Sequence, residues 1–434
     1  MIRSAVVLSV LLSSGLASAA LAQGPIVGDV EGGEFRPFPL AVPQTRTATG
    51  SDTHKAVATQ LVGVLRNDLA MSGAFQLLDP KSFIDTDGLT GAAVRFADWQ
   101  NVGAQGLVKT HLKVEGAKLS VEIHAFEVAS QKEGLNKTVQ GTSDNVRALG
   151  HLVADEVFRY FTGEPGVFRT HIAVVKKVQG EKHVFVVDID GESLRQVTKG
   201  GGLNLLPAWS PDGAKLLFTS YRFDNPDLFE LTLANGEVKP ISRRAGLNIG
   251  GRYSPDGGRI ALTLSQDGNS EIYLLDRQGQ ILKRLTNAWG IDTSPTWAPD
   301  AKSLVVVSSR GGHPDLYRLD VDSGSAKRLT FKGEYNQTPA YSPRGTHIAF
   351  TARDERNVFD IFVLNTGSGE ITRVTQDQGN NEEPSFAPNG RLLVFTTTRN
   401  GSRQLVVANI DGTKQTVLPA VGEFTSPAWG PFVR

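Results

Sequence analysis

Along the last 260 or so residues, apolar and polar positions alternate in runs of five to seven residues separated by polar turns, and the whole arrangement recurs. Runs of that length suit strands and are too short for helices. In one copy an aromatic, Tyr253, precedes Pro255-Asp256-Gly257. Then come an apolar run, Arg259 to Leu264, a turn at Asp267-Gly268-Asn269, a second run, Glu271 to Leu275, and a short basic-apolar-Thr segment, Lys283 to Thr286. The turn prolines Pro211, Pro255, Pro299, Pro343, Pro388 and Pro431 recur every 43 to 45 residues. Proline presets φ, aspartate bonds the backbone ahead and glycine accepts positive φ, so these segments are turns. Phe185, Phe229, Tyr273, Tyr317, Phe362 and Val406 keep the same beat, as side chains that pack one repeat on the next. Four strands per repeat at this period predict a β-propeller.

The two ends of the array set the blade number. It begins with a second strand near Ile172 and finishes with a first strand at Ser426 to Phe432. That last segment is expected to lie beside Ile172 to Val178, completing the first blade and leaving no open edge. The expected fold is mainly β: a six-bladed β-propeller over 164–434, closed by its C-terminal strand and preceded by a small α/β domain over 47–163.

Within that smaller domain, Val57, Leu61, Val64, Leu65 and Leu69 form one helix face, with Asp52 as N-cap and Gly73 as the stop. Phe75 to Leu78 reads as a strand, Leu107 to Val114 and Leu119 to Val128 as a hairpin, and Asn145 to Phe161 as a closing helix. Residues 23–46 are rich in Gly and Pro and predict a flexible arm, either a disordered leader or a partner-binding epitope. Ahead of them Arg3, an apolar core and Ala20-Leu21-Ala22 read as a secretory signal over 1–22, with cleavage after Ala22 or Ala19.

Composition narrows the function. Lys and Arg number 45 against 45 Asp and Glu, which argues against a nucleic-acid footprint. There are no cysteines, so stability outside the cytoplasm must come from the core alone. No G-x-S-x-G elbow and no H-E-x-x-H pair occurs, and the carboxylates fall in turns at blade spacing. The expectation is a protein that is not an enzyme, with no metal and no cofactor.

One ring of positions stands out. Asn204, Asn248, Asp292, Asn336 and Asn381 each precede a first strand at blade spacing, so they should circle one mouth of the channel. Leu247, Gly250, Thr293, Glu382 and Phe424 would widen that surface. Side chains of this type either cap turns or form a docking surface for a protein or a cation.

These residues carry a resemblance. The chain resembles the TolB family of the Tol-Pal system, most specifically through Phe161-Thr162-Gly163-Glu164-Pro165-Gly166-Val167-Phe168-Arg169-Thr170 joined to the repeats. Arg36-Pro37, Leu65-Arg66-Asn67-Asp68-Leu69, Ser72-Gly73-Ala74-Phe75 and Trp99 add to it. The resemblance implies a periplasmic, non-enzymatic adaptor, monomeric and peripheral to the outer membrane. Its propeller mouth, with the ring given above, would bind the peptidoglycan-associated lipoprotein Pal. The arm, with Gln23, Pro25, Val27, Asp29 and Val30, would bind TolA, and the complex would support outer-membrane invagination at division. Leu247, where relatives can carry a polar residue, and the long glycine-rich arm depart from the family pattern. The alternative is a propeller with a channel cation and hydrolase-type activity.

Overall fold

The computed structural model describes residues 30–31, 34–48, 50–84, 88–90, 93–353 and 355–433. Gln23, Pro25, Val27, Asp29 and the 1–22 signal lie outside the described residues. Val30 starts a two-residue strand paired with Glu34–Phe35.

Six four-stranded antiparallel sheets form the propeller. Blade 2 is typical, with strands Asn204–Trp209, Lys215–Ser220, Asp227–Thr232 and Val238–Ser242. Blades 3 to 6 begin with inner strands Asn248–Tyr253, Asp292–Trp297, Glu334–Tyr341 and Asn381–Phe386. Blade 1 is shared between the chain's two ends: Phe424–Trp429 supplies the inner strand and pairs with His171–Val178, Ala428 opposite Ala173. The closure expected from the repeat offset is present, two residues earlier than the sequence suggested.

Each Pro-Asp-Gly turn is built as its chemistry requires. Asp212 Oδ1 accepts from Ala214 N at 3.0 Å and from Ser210 Oγ at 2.5 Å, and Gly213 sits at φ +73°. The basic-apolar-Thr segment has a role that spacing alone did not reveal. The third strands of blades 3, 4 and 5 carry a buried carboxylate at their first or second residue, Glu271, Asp315 or Asp360. Thr286, Thr330 and Thr375 donate to it, and Arg284, Arg328 and Arg373 pair with it. A buried carboxylate with these partners is satisfied, and the fourth strand is thereby fastened to the third.

Ahead of the propeller, two helices, Asp52–Met71 and Val146–Thr162, pack on a sheet in the strand order Phe75–Leu77, Phe38–Ala41, Gly106–Glu115, Lys118–Glu127, Lys132–Thr142. Two details differ from the sequence reading. Ser51, not Asp52, caps the first helix, its Oγ accepting from His54 N at 3.2 Å. Phe38–Ala41, assigned to the arm, pairs in parallel with Phe75–Leu77 and with Gly106 and Leu107, and Leu40 and Ala41 are fully buried. A central parallel strand reads as an apolar run, and here Pro39 and a Gly-Pro-rich approach disguised it.

The two domains share one core. Phe158, Phe161, Val167 and Phe168 pack with Leu392, Leu405, Leu418 and Trp429 of blades 6 and 1. Gly163, at φ +72°, ends the closing helix and releases the chain into the junction. Glu164 then forks between Arg391 and Arg344, on the Pro-Asp-Gly turns of blades 6 and 5. The smaller domain therefore sits on the Pro-Asp-Gly face, and the described residues leave open the face where inner strands start.

Candidate functional site

The five ring residues do stand together at the open face, but their side chains point inward. Asn204, Asn248, Asp292 and Asn381 are fully buried and Asn336 nearly so. Asn248 accepts from Ser242 Oγ and Arg244 N and donates to Arg244 O at 2.7 Å. Asn336 and Asn381 donate to Asp315 and Asp360 of the preceding blade, each at 3.1 Å. Asp292 pairs with Arg310 at 2.8 Å. The chain must reverse before each inner strand, and a short amide is the side chain that reaches the carbonyls of its own loop. These residues shape the mouth and offer no side-chain surface to a partner. Phe424 is likewise fully buried, beneath Lys176, and cannot widen the surface. Leu247, Gly250, Thr293 and Glu382 are half-buried at the mouth, with Glu382 paired to Arg403 at 3.0 Å.

The surface that is exposed was missed in the sequence. On the same face Trp289 is 78 % exposed, Phe331 73 % and Val421 83 %, and Phe223, Ile291 and Tyr335 are exposed beside them. Several are held from below. Arg243 stacks on Phe223 at 4.0 Å and Arg328 on Phe331 at 5.3 Å, while the same arginines pair with buried Asp227 and Asp315. Arg353 stacks on Tyr335 at 4.0 Å. Large apolar side chains on rigid loops, fixed by cation-π contacts, are what a partner anchors on. A signal existed in the sequence: the loops ahead of the fourth and fifth inner strands carry Trp289 and Phe331 where the other loops ahead of ring residues carry Gly, Ala or Gln and Lys, Arg, Asn or Gln, respectively.

Within the channel the inner strands bulge. Leu206, Gly250, Ser294, Thr338, Glu383 and Ser426 all take positive φ, from +48° to +68°. They line a narrow cavity of about 100 Å³ at the open face. Most are followed by proline, which suits a bulge and not a central ladder. One ring deeper, Ala208, Arg252, Thr296, Ala340, Ser385 and Ala428 line a cavity of about 450 Å³ that opens on the Pro-Asp-Gly face.

A third cluster lies at the domain junction, where residues far apart in the chain meet. His151 Nδ1 bonds Asp68 Oδ2 at 2.7 Å, its Nε2 lies 3.9 Å from Asp190 Oδ2, and Arg147 pairs with Asp190. The three side chains place one possible metal-ligand atom each within 4.8 Å of one another. Here His151 bonds Asp68 between the two helices of the smaller domain, and Arg147 of the closing helix pairs with Asp190 of blade 1. Burial raises Asp68 to about 7, against the lowering effect of His151. His151 is pushed down by burial, but its bond to Asp68 and the nearby carboxylates outweigh this and raise it.

A small α/β domain seated on one face of a six-bladed propeller, with the other face open and apolar-rimmed, is the class this architecture defines. The chain belongs to the TolB family: a family model for the TolB amino-terminal domain matches residues 28–134, and one for the TolB beta propeller domain matches 158–433. It is 42 % identical over 234 residues to the Tol-Pal system protein TolB of Anaeromyxobacter dehalogenans strain 2CP-1, covering 52 % of this chain and 53 % of that one. Against the protein of the same name from Roseobacter denitrificans it is 32 % identical over 219 residues, covering 49 % of this chain and 48 % of that one. In these alignments the chain spans about half the length of the curated relatives it matches. The crystal structure of TolB from Acinetobacter baumannii superposes with a TM-score of 0.82 at 30 % identity, over 92 % of this chain and 97 % of that one. Among the described residues no helix is long and apolar enough to cross a membrane.

Proposed function

We propose that this chain is a non-enzymatic periplasmic adaptor of the Tol-Pal system that docks Pal on the open face of its propeller and TolA through its N-terminal arm, in support of outer-membrane invagination and envelope integrity. The observation that carries the docking site is the rim of Trp289, Phe331, Phe223 and Tyr335, three of them braced by arginines, on the face away from the smaller domain. Leu247, Gly250, Thr293 and Glu382 continue the rim toward the channel, while Asn204, Asn248, Asp292, Asn336 and Asn381 act by holding the loops in place. The arm residues Gln23, Pro25, Val27, Asp29 and Val30 supply the second contact. If occupancy of the mouth changes the order of the arm, Pal and TolA alter each other's affinity by the same factor.

The reading as a cation-dependent hydrolase is disfavoured by the channel itself, because Arg252 places a positive charge where the cation would sit.

Calorimetry of the mature protein with the soluble domain of the same organism's Pal tests the docking site. Trp289→Ser with Phe331→Ser should weaken binding at least about tenfold, since central aromatic anchors contribute about 2 kcal/mol or more. Binding untouched by that pair would move the site elsewhere, and no binding by the unaltered protein would remove the adaptor reading.

A further inference from the structure

The channel carries a charge that the docking function does not use. At the ring one step below the bulges, five of six positions are small: Ala208, Thr296, Ala340, Ser385 and Ala428. The sixth is Arg252, which reaches into the open centre and lines both cavities. Arg284, Arg328 and Arg373 of this propeller pair with buried carboxylates. Arg252 does not. The one hydrogen bond of its guanidinium to a described residue runs from Nη1 to the carbonyl of the adjacent Gly251, at 3.2 Å. Burial alone pushes it down to about 10, with no carboxylate raising it, and it stays charged at neutral pH.

Its neighbours in the ring complete the chemistry. Thr296 Oγ1 accepts from Tyr341 N at 3.2 Å, and Ser385 Oγ accepts from Trp429 N at 3.0 Å. Each hydroxyl accepts one backbone N–H and keeps its own proton to donate. The carboxylate that lines the narrow cavity, Glu383, is occupied by the backbone N–H and the hydroxyl of Ser426. Around this polar centre the 450 Å³ cavity is walled by Trp209, Tyr253, Trp297, Tyr341, Phe386 and Trp429. A guanidinium with free donors, two hydroxyl donors and an aromatic wall form a pocket for a negative head on an apolar body.

We propose that the central channel is a binding site for a small organic anion, whose carboxylate pairs with Arg252 and whose apolar body lies against the aromatic ring on the Pro-Asp-Gly side. Entry is from that side, because the bulges narrow the other. The site is independent of Pal docking and stands or falls without it.

Benzoate is a suitable probe, with acetate alongside as a head group without a body. By calorimetry on the full mature chain, benzoate should bind more tightly than acetate. Arg252→Gln should weaken benzoate at least about tenfold, the loss expected for a charged hydrogen-bonded pair, while an unchanged melting temperature shows the variant folded. Should Arg252→Gln fail to fold, Thr296→Val with Ser385→Ala decides instead, and about fivefold weaker binding is expected for two lost donors. No heat from benzoate at about 10 mM, well above any useful affinity, would overturn the proposal. So would equal affinity in Arg252→Gln, or in the double variant where that is the one that folds.

Discussion

Raising the pH from about 5 to about 8 should loosen the junction between the two domains, through the Asp68–His151 pair. In the unfolded chain these groups release their protons near ordinary aspartate and histidine values. In the folded protein Asp68 is fully buried and raised to about 7, and His151 is raised as well. The folded state therefore holds more protons across this window than the unfolded one. Stability is full below the unfolded value of Asp68 and falls as the pH climbs through its folded value. A shift from 3.8 to about 7 sets a ceiling of about 4 kcal/mol. His151 shares the proton over the upper half of the range, so about 2 kcal/mol of loss is expected for Asp68. Asp68→Asn keeps the shape and an acceptor for His151 but removes the titration. Urea denaturation of both proteins, followed by circular dichroism, gives the difference at each pH. Asp155, Asp188, Asp190, Arg147 and His171 surround the pair in both proteins and largely cancel. The variant should gain on the parent by about 2 kcal/mol between about pH 5 and about pH 8. A difference that stays flat across that range would refute the argument.

The linker clamp predicts that Glu164→Gln weakens domain docking by about 1 kcal/mol, modest because both arginine partners are partly solvated; faster proteolysis near the 163–169 linker would report it. The bulge ring predicts opposite signs for two substitutions. Ser294→Gly, at φ +55°, should stabilise by about 1 kcal/mol, and Gly250→Ala, at φ +68° with open space around its Cβ, should cost about as much. Thermal melts that move together would contradict the strain assigned there. Asn381→Ala should cost about 2 kcal/mol by stripping a donor from buried Asp360, whereas Trp289→Ser, on the rim, should leave stability within about 0.5 kcal/mol. Equal losses in the two would mean that the ring and the rim are not divided between structure and surface.

Much of this architecture was readable as spacing. Turn chemistry is local: Pro211-Asp212-Gly213 and its copies bend the chain wherever they occur, and the aromatic and apolar runs between them must pair with near neighbours. The offset between first and second strands also names the closing partner of Phe424–Trp429. The helix from Val146 to Thr162 followed from its apolar stripe and Gly163 for the same reason, since capping and periodicity involve residues a few positions apart. Where the pattern was broken by proline, as at Phe38–Ala41, the strand went unread, because its burial depends on partners more than thirty residues away.

The direction in which a side chain points is a tertiary property, and there the sequence misled. Asn248 and Asn381 recur like surface residues, yet only the packed loop shows that backbone carbonyls and a neighbouring blade's carboxylate claim their amides. Trp289 and Phe331 look like core residues, yet the folded propeller leaves them outside on arginine-braced loops. Arg252 looks like any arginine beside an aromatic until six inner strands converge and make its position the centre of a channel. His151 finds Asp68 across 83 residues and Asp190 across the domain junction. Periodicity decided how many blades there are and how they close, because it follows from local turns and alternating strands. Burial, pairing and the mouth itself were decided only when distant blades met, because desolvation and charge pairing act through space and leave no regular spacing in the chain.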